Sequence, residues 1–261
     1  MIRFADVLER GRGQAGGGRP ALGTWVKLPV VESVELMALA GFDFVVLDLE
    51  HSPMTTETAS TLIAVANGRG LCPLVRVPDH SPAWIQRVLD AGAAGVLAPH
   101  VDSVEQALAV TRPARFEPDG SRGVGPTSRA GDWGLRPMGE YLAEGAHVAV
   151  IGQVESDAGV RATADILAEK RLDAVFVGPA DLSVSLGRSA DHPDVTSRIR
   201  TVVDACREAE VPVGTAIGAD PARAAQLGRE GFAFVMVSND ATILGSGGAG
   251  LVRDFRSAVG D

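Results

Sequence analysis

Short apolar runs recur along the chain, and between most of them lie stretches whose apolar positions return every three or four residues. Eight such runs can be counted: Leu22 to Val26, Phe42 to Leu49, Pro73 to Val77, Gly95 to Pro99, Val148 to Val154, Ala174 to Val177, Val211 to Ala216 and Phe232 to Val237. DAVFVG and FAFVMV are nearly continuous in apolar residues, as strands buried on both faces must be, whereas one-sided antiparallel strands alternate. The intervening VESVELMALAG, PAWIQRVLDAG, SVEQALAV, ADILAEK and PARAAQLGREG read as amphipathic helices, several closed by the Gly expected just past a helix C-terminus. Strand and helix in strict alternation predict a parallel sheet with crossover helices. The repeat length is that of a (β/α)8 TIM barrel: one α/β domain over residues 1–261, with a doubly wound open sheet as the alternative.

Three stretches depart from this rhythm. Residues 1–20 read as an N-terminal helix followed by a Gly-rich lead-in. Residues 119–137, DGSRGVGPTSRAGDWGLRP, form a long Gly-rich connection carrying Arg122, Arg129 and Arg136, which points to a lid or a subunit contact. The run GSGGAG from Gly245 formally matches GxGxxG, but it does not directly follow a strand and too little chain remains for a dinucleotide-binding unit. It reads instead as a flexible hinge before a last helix, LVRDFRSAV.

Composition narrows the functional classes. With 24 Lys and Arg against 33 Asp and Glu, the formal charge is −9, and no basic run offers a footprint for nucleic acid. Cys72 and Cys206 are the only cysteines and lie far apart, which fits a reducing, cytoplasmic setting better than a disulfide framework or a zinc site. No stretch approaches the roughly 18 apolar residues of a membrane span.

In a barrel, catalytic groups collect where the strands end, because the βα loops there converge on one mouth. Charged and polar residues do collect there: Asp48, Glu50 and His51 after the second run, Arg76 in the third, Gln153 and Glu155 at the end of the fifth, Asp181 after the sixth. Gln153 and Glu155 occupy alternate positions of one strand and so face the same way. With Asp181, Glu155 could supply two oxygens to a hard cation such as Mg2+, Mn2+ or Co2+, leaving positions for water and substrate; alternatively, both acids cap the helices that follow them. Arg76 could bridge a structural carboxylate or present its planar fork to a substrate anion. His51 is placed for acid–base work near neutral pH, with His100, ending the fourth run, as its rival. The two lysines argue against Schiff-base chemistry: Lys170 precedes the sixth run, at the wrong end, and nothing around Lys27 in GTWVKLP predicts a buried amine.

Taken together, GTWVKLP, GFDFVVLDLEHSPM, PLVRVP, VLDAGAAGVLAPHVDSVEQA, SRGVG, GQVES and VFVGPADLS resemble the HpcH/HpaI aldolase family of class II, pyruvate-dependent aldolases, over residues 20 to 245. The resemblance implies Glu155 and Asp181 as ligands of the divalent metal, with Gly178, Pro179, Ala180 and Asp181 holding the pyruvate carboxylate and Gln153 bonding near the metal water or substrate. It further implies that Arg76 stabilises the enolate and that His51 is the acid–base group, supported by Asp48 and Asp90. The implied reaction is reversible cleavage of a 4-hydroxy-2-oxo acid to pyruvate and an aldehyde, in a homo-oligomer, a hexamer built as a trimer of dimers, whose last helix is exchanged between neighbours. Two alternatives stand beside it: a relative that decarboxylates oxaloacetate and forms a carbon–carbon bond, and a catalytically idle metabolite-binding barrel. Lys27 replaces what is often a smaller or neutral residue, so the acceptor aldehyde does not transfer from a relative.

Overall fold

All eight apolar runs become strands of one sheet in the computed structural model, which describes residues 2–12 and 19–260. The strands are β1 (Ala21–Val26), β2 (Phe44–Asp48), β3 (Cys72–Arg76), β4 (Gly95–Ala98), β5 (Ala149–Val154), β6 (Ala174–Val177), β7 (Val213–Ile217) and β8 (Phe234–Asn239). They run parallel in chain order, and β8 pairs with β1, so the sheet closes into a barrel and the open-sheet alternative is excluded. Helix α1 (Phe4–Arg12) precedes the barrel. Around it lie α2 (Val31–Ala40), α3 (Thr56–Gly68), α4 (Pro82–Asp90), α5 (Val104–Thr111), α6 (Met138–Gly145), α7 (Asp157–Ala168), α8 (Pro179–Ser185), α9 (Pro193–Glu208), α10 (Pro221–Arg229) and α11 (Asp240–Val259). Among the described residues no helix is long and apolar enough to cross a membrane.

The pleat sorts each strand into an outer and an inner set. Val45 and Leu47 of β2 pack beneath the helices, while Phe44 and Val46 fill the barrel. The last inward position of β2 is Asp48, of β3 Arg76, and of β5 Gln153, so apolar layers below give way to a polar layer where the strands end. At the other end α1 inserts Phe4 between Phe44 and Phe234, ring centroids 5.4 and 5.2 Å away, in edge-to-face contacts. All three rings are at most 1% exposed. Gly23 is required there, because a Cβ on it would stand 2.3 Å from the Phe44 ring.

Two expectations need correcting. The run from Gly245 is not a hinge: α11 is one helix of 20 residues that passes straight through it. The Asn239 side chain caps its start by accepting from the Thr242 N–H at 2.8 Å. Glycine inside a helix costs roughly 0.5–1 kcal/mol relative to alanine, yet each still makes its backbone bonds, so a capped helix of this length carries the run. Nor do residues 119–137 form a lid within the chain. They lie against α4 at the end opposite the mouth, where the buried Arg122 bonds Asp90 at 2.8 Å and the Gly125 N–H donates to the Tyr141 hydroxyl. A helix after a strand returns to the opposite end, and this segment follows α5. The Gly-rich lead-in of residues 13–18 lies outside the described residues.

Candidate active site

Asp48 is the hub of one half of the mouth. It pairs in register with Arg76, whose Nε donates to Oδ1 at 3.0 Å and Nη2 to Oδ2 at 2.7 Å, a bidentate fork. The backbone N–H groups of Glu50 and His51 donate to Oδ1 at 3.1 Å each, and the Lys27 ammonium donates to Oδ2. These contacts explain why the apolar VVL of β2 turns so abruptly into DLEH: the carboxylate at the strand end ties down the turn that follows it. Burial alone would push this acid up, but Arg76 and Lys27 outweigh burial and hold its pKa down to about 2. A fully buried carboxylate with five donors cannot serve as a base. Asp48 supports His51 through the backbone, not through the imidazole.

Arg76 also lies over the Trp25 ring, 4.1 Å from guanidinium carbon to ring centroid, and reaches Glu50 Oε2 with Nη1 at 3.1 Å. Glu50 in turn stands 3.5 Å from His51 Nε2 and 3.7 Å from His100 Nε2. Both rings are open to solvent at the rim, 62% and 61% exposed, so both histidine candidates remain at the mouth.

Across the barrel, β5 brings up Gln153 and Glu155. The Gln153 amide donates to Glu155, and its Oε1 is buried with no partner. Glu155 Oε1 accepts the His100 backbone N–H at 2.9 Å and lies 2.9 Å from Nδ1 of the same ring. This requires His100 to hold a left-handed φ of 53°, uncommon for a residue with a side chain. Burial raises the pKa of Glu155; the hydrogen bonds from His100 and Gln153 oppose it, and the negative charge of Asp181 adds to the rise. Asp181 sits in the first turn of α8. Gly178 makes the close approach possible, since a Cβ there would be 3.1 Å from Glu155 Oε2. Helix capping does not account for Glu155, because Ser156 caps α7 by accepting from the Gly159 N–H at 3.0 Å.

This donor set fits a hard divalent cation. It offers two carboxylates and an amide oxygen without a partner, in a place where negative charge is under-compensated. Among the described residues no three of His, Cys, Asp and Glu converge as a closed cage, so water and substrate oxygens would complete the sphere.

Gly178, Pro179, Ala180 and Asp181 line one cleft of about 540 Å³ with Trp25, Lys27, Arg76 and Gln153. The structure does not bring Asp90 there. Asp90 ends α4, which runs back from the mouth, and its carboxylate is held by Arg122. Three participants escape a reading of local sequence: Glu50 as the bridge between Arg76 and the histidines, Lys27 on Asp48, and Asp240. The Asp240 carboxylate accepts from the backbone N–H groups of Lys27 (2.9 Å) and Leu28 (3.0 Å) and from the Ser33 hydroxyl. Its position directly after the last strand is the one signal that could have found it.

The chain matches the family model described as HpcH/HpaI aldolase/citrate lyase over residues 21–245. It is 33% identical over 240 residues to 5-keto-4-deoxy-D-glucarate aldolase of Salmonella arizonae, spanning 90% of this chain and 92% of the relative. It is 35% identical over 232 residues to hydroxypyruvate/pyruvate aldolase of Chromohalobacter salexigens, spanning 87% and 90%. The crystal structure of an HpcH/HpaI aldolase from Desulfitobacterium hafniense superposes with a TM-score of 0.90 at 30% identity, covering 98% of this chain and 97% of that one. A closed eight-stranded barrel with this mouth, matched along nearly its whole length, is thus a carbon–carbon lyase that belongs to the HpcH/HpaI aldolase/citrate lyase family.

Proposed function

We propose that this enzyme cleaves a 4-hydroxy-2-oxo acid, of the 2-keto-3-deoxy sugar acid or 4-hydroxy-2-oxo-dioate type, reversibly to pyruvate and an aldehyde. A divalent cation, Mg2+, Mn2+ or Co2+, would be held by Glu155 and Asp181. The observation that carries this reading is that Asp181 and Gln153, whose Oε1 has no partner, line the same cleft as Arg76, with Glu155 hydrogen-bonded to Gln153. The names of the two relatives, both aldolases, support it.

When bound, the cation supplies Lewis acidity to the 2-oxo group. Gln153 lies beside Glu155, with Oε1 available to a water or a substrate hydroxyl. The first-turn N–H groups of Ala180 and Asp181 have no intrahelical partner and receive the substrate carboxylate. Gly178 and Pro179 shape that turn, the Gly178 N–H being spent on the Val154 carbonyl at 3.1 Å. As the C3–C4 bond breaks, negative charge develops on the 2-oxygen, and Arg76, fixed by Asp48, Glu50 and Trp25, meets it without reorganising. His51, on the turn that Asp48 ties down, takes the 4-hydroxyl proton and returns it in the condensing direction. Asp90 cannot reach His51 within one chain, so its support would come across a subunit interface. A homo-oligomer, a hexamer as trimer of dimers with α11 exchanged, agrees with this, and the exposed Leu244, Leu251, Phe255 and Val259 of α11 favour a helix that finds cover on a neighbour. A cytoplasmic location agrees with two buried free thiols, both raised by burial, Cys206 to about 12.

Pyruvate release from 4-hydroxy-2-oxo acids is expected to stop with EDTA and return with Mg2+, Mn2+ or Co2+. Release untouched by chelation defeats the proposal. Incubation with oxaloacetate alone separates the alternative chemistry: a decarboxylating, bond-forming relative yields a condensed product, this enzyme pyruvate only.

A further inference from the structure

We propose that Lys27 and Ser238, on the paired strands β1 and β8, form the acceptor side of the cleft and select an aldehyde that bears a carboxylate. This rests on the aldolase reading above.

The two cations lining the cleft differ in what they have left to give. Arg76 spends three of its five N–H groups on protein partners, Nε and Nη2 on Asp48 and Nη1 on Glu50, and the two that remain are those the reading above gives to the 2-oxygen. The Lys27 ammonium has three N–H groups; one goes to Asp48, and a second stands 3.5 Å from the His51 carbonyl, at the limit of a hydrogen bond. Lys27 is also aimed from below, because Asp240 accepts its backbone N–H and that of Leu28.

Ser238 is the independent observation. Between the pairs Gly23↔Met236 and Trp25↔Asn239 the register shifts, so Val237 and Ser238 together oppose Thr24, a bulge. Thr24 Oγ1 pins it by donating to the Val237 carbonyl at 2.9 Å and sharing with that of Ser238 at 3.3 Å. The bulge holds Ser238 at a φ of 58°, a conformation that disfavours a side chain. Its hydroxyl is buried, has no partner, and belongs to the lining of the cleft. The strain and the unmet hydroxyl are two separate costs, and a ligand oxygen would offset the second. Glycine would remove both costs, at the expense of that ligand contact. Beyond this pair the wall includes Ala216 to Ala219, Asn239 and Thr242, none of them charged, so with Arg76 given to the 2-oxygen an anionic group on the incoming aldehyde finds its cation in Lys27.

The test compares glyoxylate with glycolaldehyde, aldehydes of similar size with and without a carboxylate, each condensed with pyruvate and Mg2+. The wild type is expected to prefer glyoxylate in kcat/KM. Lys27→Met lowers that preference by about tenfold or more, the size of one charge-assisted hydrogen bond, chiefly through KM for the aldehyde, and Lys27→Arg restores most of it. Ser238→Gly lowers it several-fold while raising the melting temperature, which separates a ligand-binding hydroxyl from a structural one. Equal losses for both aldehydes in Lys27→Met, or an unchanged preference in both variants, overturn the inference and leave the aldolase reading intact. A wild type that condenses pyruvate with neither aldehyde and releases none from 4-hydroxy-2-oxo acids overturns both.

Discussion

The two halves of the mouth are built on opposite principles. On the β1–β3 side every buried charge is answered: Asp48 has five donors, Arg76 is forked onto it and lies over Trp25, and the acid is held at about 2. On the β5–β6 side charge is left wanting: Glu155 is raised by burial and by Asp181, Gln153 Oε1 is bare, and His100 is held at a left-handed φ. The first half is a finished part of the protein, stable without a ligand. The second is finished only when something positive and oxygen-seeking arrives. A sidechain's satisfaction, more than its identity, tells scaffold from binding site.

The comparison breaks most visibly at its finished half. Asp48→Ala leaves Arg76 buried without its partner and frees the turn that carries His51. A loss of about 3–5 kcal/mol in denaturant-measured stability is expected, along with most of the activity. Less than about 1 kcal/mol would show that the hub is ornamental. Glu155→Gln sharpens the contrast. Activity is expected to fall by about 10²–10³, the scale of one lost transition-state contact, while the melting temperature in EDTA rises, because a strained buried charge has gone. A variant less stable than the wild type in EDTA would place Glu155 among the satisfied groups instead. The smallest effect concerns acid. A carboxylate depressed in the folded state stabilises above its unfolded pKa near 4 and loses that contribution as pH falls toward about 2. The stability difference between wild type and Asp48→Asn should therefore shrink by roughly 2 kcal/mol between pH 5 and pH 2.

Much of this was legible in the chain itself. All eight strands begin and end within two residues of the apolar runs, since a sheet buried on both faces writes itself as such runs. The final inward positions of β2, β3 and β5 could be read as chemistry because the pleat makes alternate residues neighbours. What local pattern does not encode is which end of a helix reaches which end of the barrel, and this is why Asp90, expected at the site from the resemblance, lies beside Arg122 within the chain. Lys27 looked unremarkable because its partners, Asp48 and Asp240, are 21 and 213 residues away. The glycines from 245 read as a hinge because four intrinsic penalties are visible in a window of six residues, and the cap at Asn239 that anchors the whole helix is outside it. Backbone strain at His100 and Ser238 leaves no trace in composition at all.

The triangle of Phe4, Phe44 and Phe234 has a kinetic meaning. A vessel stoppered at its floor has a single doorway, and everything that enters leaves by the same route. The reactant seated deepest must be first in and last out, and a second reactant bound above it becomes its cork. Ordered release of the products is the expected outcome of such a floor, which product-inhibition patterns would check.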